Sequence, residues 1–153
     1  MDQDLEKYIQ RFLSANESLR RKIGIEHRSL MEKNGTGMTR PQFFMLHIIK
    51  EHGPCKITQL AERLEVKPSA ITVMIDRLVL SKLVMRTQDP NDRRVVLVEL
   101  TEEGENELEK ARDFSKQIIS RYFSRLDSDE LAQFVHTFEK IVRISNENST
   151  SGG

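Results

Sequence analysis

The segment that most constrains this chain is residues 89–104, which read D-P-N-D-R-R-V-V-L-V-E-L-T-E-E-G. Its first four residues are turn formers, and residues 95–100 are rich in β-branched and apolar side chains. Thr101 then provides a helix cap. This order predicts a β-hairpin that leads directly into a helix. Arg93 and Arg94 stand at the tip of that hairpin, where two exposed guanidiniums would suit a polyanionic partner.

Upstream of the hairpin, apolar residues at helical spacing predict one long amphipathic helix over residues 4–32. The glycine-rich segment 34–37 interrupts it. Thr39 can cap a second helix, with Pro41 in its first turn and an end near residue 51.

Two short helices are predicted next, at residues 57–64 and 68–80, with only three residues between them. Such a pair is typical of a helix-turn-helix, and Ala61 leaves room for the two helices to cross closely. Val66, in the turn, is expected to insert into the core. The hairpin strands are expected at residues 83–87 and 94–100.

Two further helices follow the hairpin. Thr101 caps the first, and Glu102 and Glu103 lie in its first turn, where the helix dipole favours anions. Asp127 and Glu130 have the spacing of a capping box for the second. Apolar stripes on the terminal helices exceed what a small helix-turn-helix core can cover, which indicates a second copy of the chain as the partner.

Bulk properties restrict the class of protein. The 153 residues suit one domain, and the net charge is zero. Residues 66–94 nevertheless carry six basic and three acidic side chains, a local charge of +3 that favours a nucleic-acid partner. No apolar run approaches the roughly 18 residues of a membrane span. The acidic, polar N-terminus and the single cysteine predict a cytoplasmic protein without a signal peptide.

At this point the sequence resembles the MarR family of bacterial winged-helix transcription regulators, over nearly the whole chain. The most specific match is the wing signature D-x-R-x5-L-T-x-x-G, present as Asp92, Arg94, Leu100, Thr101 and Gly104. The segment I-T-Q-L-A-E-R-L-E-V-K-P-S-A-I-T-V-M-I-D-R-L is similar to the helix-turn-helix of that family.

The resemblance implies a mainly α fold with a small β-hairpin wing, that is, a winged helix-turn-helix with N- and C-terminal dimerisation helices. We expect a single domain over residues 1–153. Its expected parts are dimerisation helices at 5–32 and 102–146, a winged helix-turn-helix lobe at 41–100, the helix-turn-helix itself at 57–80, and a flexible tail at 147–153.

Site residues carry over position by position. Ser69, Thr72 and Arg77 fall on the DNA-facing side of the recognition helix, Arg94 falls on the wing arginine of the family, and Asp92 falls on the acid that braces it. Short hydroxyls suit phosphates or base edges, and a wing arginine suits the minor groove. The full set of candidate DNA-binding residues is Lys67, Ser69, Thr72, Val73, Arg77, Arg86, Asp92, Arg93 and Arg94.

Several of these residues have alternatives. Many relatives carry an arginine where Val73 stands and a serine where Lys67 stands, so the operator of a relative should not be transferred. Arg93 is the less certain backbone contact. Arg86 suits a phosphate contact as well as a salt bridge to Asp89 or a glutamate, and Arg77 suits DNA or an internal pair with Asp76.

The resemblance also implies a cavity beside the second helix, where a small molecule binds. Phe43, Phe44 and His47 are candidate ligand contacts, although core positions are the favoured interpretation for them. No Cys/His pair has metal-ligand spacing, so we expect neither metal nor cofactor. For Cys55, an inert thiol is favoured over a redox sensor whose pKa Lys56 lowers.

The predicted function is that of a homodimeric, sequence-specific repressor of transcription. It would bind a pseudo-palindromic operator in double-stranded DNA and be released by a small hydrophobic or phenolic effector. The alternative is a DNA-binding regulator or activator that needs no ligand. The sequence contains no nucleophile elbow and no phosphate loop, so we do not expect an enzyme.

Overall fold

The computed structural model describes residues 3–35 and 37–150, and the side chains up to residue 147. It contains six helices and two strands in this described part. In chain order they are α1 (Gln3–Lys33), α2 (Arg40–His52), α3 (Ile57–Leu64), α4 (Pro68–Leu80), β1 (Val84–Gln88), β2 (Val96–Leu100), α5 (Glu102–Phe123) and α6 (Ser128–Thr150). The predicted order of elements and the mainly α fold with a β-hairpin are confirmed.

The chain divides into two compact units, Met1–Ser115 and Lys116–Gly153, with the boundary inside α5. The first unit holds the hydrophobic core, to which α1 to α5 and both strands contribute. Its fully buried side chains include Met45, Leu46, Ile49, Leu60, Ile75, Leu78, Val84, Val98 and Leu108. His27 of α1 is buried as well, with its Nε2 atom 3.2 Å from the Ala111 carbonyl oxygen of α5.

Helix α2 begins where its capping chemistry predicts. The Thr39 hydroxyl accepts a hydrogen bond from the Gln42 N–H, and the Gln42 side chain accepts one from the Thr39 N–H, which completes a capping box. Pro41 lies in the first turn, where its missing N–H costs nothing. The helix ends at His52, followed by Gly53 at a φ of 65°.

The tight turn between α3 and α4 is formed by backbone atoms. Glu65 adopts a left-handed conformation at a φ of 53°, and the Val66 N–H donates to the Ala61 carbonyl. The prediction that Val66 inserts into the core is wrong, because its side chain is 45% exposed. Leu60 and Ala61 of α3 and Ile71 and Ile75 of α4 close the crossing instead, each at most 2% exposed.

The two strands form an antiparallel hairpin whose register runs from Val84 opposite Leu100 to Gln88 opposite Val96. Cys55 pairs with the other edge of β2 through two hydrogen bonds with Val98, of 3.1 and 2.8 Å. The strands are one residue later and two residues shorter, respectively, than the predicted 83–87 and 94–100. Arg94 therefore lies in the tip and not on the return strand.

The second unit consists of the end of α5 and α6. Asp127 caps α6 as predicted: its carboxylate accepts from the Glu130 N–H at 2.8 Å, and the Glu130 carboxylate accepts from the Asp127 N–H at 3.1 Å. Phe123 packs edge-on against Phe134, with 5.8 Å between ring centroids. Helix α6 continues to Thr150, so residues 147–150 of the predicted tail are helical, and residues 151–153 lie outside the described residues.

The other predicted bounds of the dimerisation helices and of the lobe remain predictions. Among the described helices, none combines the length and the apolar character that a bilayer span requires.

Candidate nucleic-acid interface

Helix α4 presents one buried and one exposed face. Ile71, Ile75 and Leu78 anchor it in the core, each at most 2% exposed. The opposite face carries the candidates Ser69, Val73 and Arg77, which follow one another at intervals of four residues and are all exposed. Lys67 is the N-cap of this helix, without a side-chain capping bond, and is also exposed.

Thr72, a further candidate on α4, and Arg77 differ in whether their polar side-chain groups are already hydrogen-bonded within the protein. The Thr72 hydroxyl donates to the Pro68 carbonyl at 3.0 Å within the helix, which leaves its lone pairs as acceptors. Arg77 forms no ion pair and no side-chain hydrogen bond with the described residues. Its guanidinium therefore retains its full donor set, and the alternative of an internal pair with Asp76 is not realised.

The wing tip is a compact turn closed by its own hydrogen bonds. The Asp89 carboxylate accepts from the N–H groups of Asn91 and Asp92, at 2.7 and 3.3 Å. The Asp89 N–H donates to the Val95 carbonyl at 3.0 Å, and the Val95 N–H donates to the Asp92 carbonyl at 2.9 Å. These bonds fix the backbone that carries Arg93 and Arg94, so both side chains start from a defined position.

Within this tip, Asp92 holds Arg94. Its Oδ1 atom accepts from the backbone N–H and from Nε of Arg94, both at 3.1 Å, and its Oδ2 accepts from Nη2 at 3.2 Å. The fork is bidentate, a geometry that orients a guanidinium as well as pairing its charge. The Arg94 side chain is nevertheless 91% exposed. The side-chain bonds from Arg94, followed by its backbone bond, hold the pKa of Asp92 below its usual value.

Arg86 is paired within the fold. Its Nη2 atom donates to the carboxylate of Asp76, which links β1 of the wing to α4. The sequence suggested Asp89 or a glutamate as the partner in an ion pair, and that part of the prediction is wrong. The pair matters for the interface because it ties the wing to the helix that carries Ser69, Val73 and Arg77.

A second junction fixes the wing to α5. The Thr101 hydroxyl donates to the Lys82 carbonyl at 2.5 Å and accepts from the Gly104 N–H at 3.0 Å. A Cβ atom at Gly104 would lie 1.9 Å from the Leu83 carbonyl oxygen, so only glycine fits there. The last two positions of the wing signature thus have a structural role in the approach of α5 to the start of β1.

Two of the three candidate ligand contacts lie against each other, and the ligand role of all three remains a prediction. Phe43 stacks on His47 with an interplanar angle of 5°, and Phe44 is exposed. Both ring nitrogens of His47 are engaged, Nδ1 with Arg112 at 2.8 Å and Nε2 with Glu51 at 3.3 Å. The Arg112 guanidinium can only donate, so the His47 Nδ1 atom is an acceptor and its Nε2 carries the proton.

Cys55 is buried, and burial raises the pKa of its thiol, with a smaller opposing effect of Arg63. Lys56 does not lower it. This environment favours the inert thiol. The described residues contain no group of three or more histidine, cysteine or acidic side chains arranged for a metal ion.

Sequence reasoning missed two features of this interface. The Asp76–Arg86 pair joins residues ten positions apart on a helix and a strand, and no periodic pattern marks such a pair. The close contact at Gly104 was hidden inside a recognised motif. The only local signal of this contact was a glycine in the first turn of a segment that otherwise consists mainly of good helix-forming residues.

Comparison with known proteins shows which family and which individual proteins this chain resembles. The family model described as "MarR family" matches residues 38–96, which span α2 to the start of β2. A relative named HTH-type transcriptional repressor MdtR, from Bacillus subtilis, is 41% identical over 83% of this chain and 81% of its own length.

Two solved structures are similar to this chain in both fold and sequence. The YusO protein from Bacillus subtilis is 40% identical and superposes with a TM-score of 0.73, covering 94% of this chain and 98% of YusO. A mutant MarR from E. coli, solved in complex with operator DNA, is 26% identical with a TM-score of 0.65, covering 88% of this chain and 95% of that protein.

Proposed function

Since this chain belongs to the MarR family of transcriptional regulators, we propose that it binds operator DNA as a homodimer and represses transcription. The relative named MdtR carries the word repressor in its name, and the E. coli protein holds operator DNA in its structure. We infer that this chain shares both properties. The relatives are named as regulators and not as enzymes.

One observation carries the proposal: a bidentate carboxylate holds an almost fully exposed arginine at the tip of a rigid wing. Among the residues that the structure describes, Asp92 alone pairs with this guanidinium. The guanidinium is therefore suited to enter the minor groove, where narrow width concentrates negative potential. Asp92 preorganises the side chain, so less conformational entropy is lost on binding.

The recognition helix supports the same function. Ser69, Val73 and Arg77 share the exposed face of α4, and a helix of this size fits the major groove. Ser69 suits phosphate or base edges, Val73 suits a thymine methyl group, and Arg77 suits the backbone. Lys67, Thr72, Arg86 and Arg93 are proposed as further contacts, with Arg86 sharing its guanidinium between Asp76 and phosphate.

The homodimer is supported by apolar residues that each compact unit leaves exposed. In α1 these are Leu5, Tyr8, Phe12, Leu13, Leu19 and Ile25, and in α6 they are Phe134, Val135, Phe138, Ile141, Val142 and Ile144. Side chains of this size, at helical spacing, are typical of a surface that a partner covers. A two-fold dimer would present two recognition helices to successive major grooves of a pseudo-palindrome.

Release by a small hydrophobic or phenolic ligand is the finer part of the proposal. A cavity of about 340 Å³ lies between α1 and the start of α2, with Met31, Met38 and Pro41 among its lining residues and Arg28 and Arg40 beside them. Apolar walls with adjacent guanidiniums suit an aromatic acid. None of the predicted contacts Phe43, Phe44 and His47 lines this cavity, so it is a second candidate site beside the one that those residues predict.

Selection of bound fragments from genomic DNA, followed by fluorescence anisotropy with the recovered fragment, tests the proposal. We expect a pseudo-palindromic fragment, bound by a dimer with at least about 1000-fold preference over random DNA of equal length. Equal affinity for random DNA would contradict it. A ligand series of aromatic acids then separates the two forms of regulation: weakened DNA binding supports release, and unchanged binding favours the ligand-independent regulator or activator.

A further inference from the structure

The exposed face of α4 carries two adjacent apolar side chains. Val73 is 52% exposed, and Ala70, three residues earlier, is exposed as well. Residues three apart on a helix are neighbours, and both side chains line one cleft together with Arg77. In an inference that rests on the proposed binding of operator DNA, we propose that α4 selects its half-site through the C5 methyl group of thymine. Val73 is the principal contact, and Ala70 lies beside it.

The first two turns of α4 lack the groups that usually identify a base by hydrogen bonds. Residues 68–75 contain no guanidinium, ammonium, carboxamide or carboxylate group. Those are the groups that form the base-specific hydrogen bonds to guanine, adenine and cytosine. The next residue, Asp76, has its carboxylate in an ion pair with Arg86 of the wing. Charged and amide groups therefore do not determine which bases this part of the helix recognises.

The two hydroxyl groups in these turns discriminate weakly between bases. The Thr72 hydroxyl donates its proton to the Pro68 carbonyl at 3.0 Å, so towards a base it can only accept. Ser69 provides one short hydroxyl, which can bind a phosphate as well as a base edge. The surface that remains for base recognition is the hydrocarbon surface of Ala70 and Val73.

The position of these two side chains along α4 favours contact with base edges. Helix α4 begins at Pro68, so Ala70 and Val73 lie in its first two turns. In a helix-turn-helix, the N-terminal residues of the recognition helix contact the bases. Arg77 lies about 6 Å further along the axis than Val73, where its guanidinium suits a phosphate at the edge of the groove. Thymine is the one base of the four with an apolar group in the major groove, so it is the base that fits.

Replacement of each operator thymine in turn by deoxyuridine tests the proposal, because it removes the methyl group and leaves every hydrogen-bonding group in place. The DNA is the fragment recovered by genomic selection, and fluorescence anisotropy measures its affinity for the full-length protein. We expect a loss of about fourfold at one thymine or more in each half-site, the size expected for one buried methyl group. At the most sensitive position, 5-methylcytosine should bind about fourfold more tightly than cytosine, since it restores the methyl group alone.

Protein variants assign the methyl contact to its side chain. Val73→Ala should bind thymine and deoxyuridine equally at the most sensitive position. Val66→Ala is the matched control, because Val66 is a valine of similar exposure, 45%, in the turn before α4, and this variant should keep the fourfold difference. Arg77→Gln should weaken both DNAs and leave their ratio unchanged.

The outcomes separate this inference from the function on which it rests. A protein that selects no DNA fragment would contradict both. Tight operator binding with no loss at any deoxyuridine would overturn methyl recognition and leave operator binding intact. A fourfold difference that persists in Val73→Ala would assign the methyl contact to another side chain and would overturn the role of Val73.

Discussion

At the scale of single residues, Arg94 and Asp92 act as one unit. The carboxylate accepts three hydrogen bonds from one arginine, one of them from the backbone, so side-chain direction and tip conformation are fixed together. Because these bonds hold the pKa of Asp92 below its usual value, the carboxylate is ionised at neutral pH. The brace is lost only as the pH falls through that lowered pKa.

Asp92→Asn separates bracing from bulk electrostatics. Removal of a negative charge near DNA should strengthen binding if only net charge matters. If Asp92 orients Arg94, the same substitution should weaken operator binding by about two- to fivefold, the size expected for an exposed pair. Fluorescence anisotropy at fixed salt measures the difference. Tighter binding by the asparagine variant would contradict the bracing role.

At the scale of elements, the wing is tied to its neighbours at two positions. The Asp76–Arg86 pair joins β1 to α4, and the Thr101–Gly104 junction joins the end of β2 to α5. The wing and the recognition helix therefore belong to one assembly, which keeps the spacing between major-groove and minor-groove contacts.

Gly104→Ala should destabilise the first of the two units by about 3 kcal/mol, since its Cβ would meet the Leu83 carbonyl oxygen at 1.9 Å and backbone atoms cannot turn away. Chemical denaturation measures the free energy of unfolding. The control is Asn106→Ala, an exposed position two residues later on the same helix, which should change stability little. Equal stabilities of the two variants would show that the close approach does not exist.

Arg86→Gln tests the tie between wing and recognition helix. In a double-mutant cycle with Asp76→Asn, the coupling in unfolding free energy should be about 0.5 kcal/mol, because both side chains are partly exposed. Strict additivity would mean that the pair contributes nothing. The salt dependence of DNA binding reports separately on the proposed phosphate contact, whose loss would lower the slope by about one.

Many features at the scale of elements are predictable because they depend on residues that lie close together in the sequence. Thr39, Thr101 and Asp127 each cap a helix by accepting a hydrogen bond from the backbone N–H three positions later. The sequence predicts these three helix starts, and the structure confirms them. Val66 was predicted wrongly, since an apolar residue in a short turn has no periodic context that reveals which side it faces. The partner of Arg86 depends on how a helix and a strand pack, which no local pattern encodes.

At the scale of the whole molecule, the two compact units each expose apolar side chains that the sequence places at helical spacing. Sequence patterns predicted these stripes as dimerisation surfaces, and they remain exposed in α1 and α6. How two copies fit together does not follow from the residues of one chain, because complementarity depends on both surfaces.

Phe138→Asp should convert the dimer into a monomer at micromolar concentration. The side chain is 51% exposed in the single chain, so the substitution costs the isolated unit little, whereas a buried carboxylate in an interface costs several kcal/mol. Sedimentation velocity measures the mass. Lys140→Asp is the control, because it introduces the same carboxylate at an exposed polar position. A dimer that persists in Phe138→Asp would exclude this face of α6 from the interface.

Contact between DNA and the Arg94 side chain of the wing is the part of the proposed function on which the rest depends. Its most direct test is the operator affinity of Arg94→Ala, measured by anisotropy at matched salt, with Arg93→Ala alongside and sedimentation to verify that both variants remain folded and dimeric. We predict a loss of more than about tenfold for Arg94→Ala, the scale of one charge-assisted contact, and a smaller loss for Arg93→Ala. Unchanged affinity of a folded, dimeric Arg94→Ala would contradict the claim.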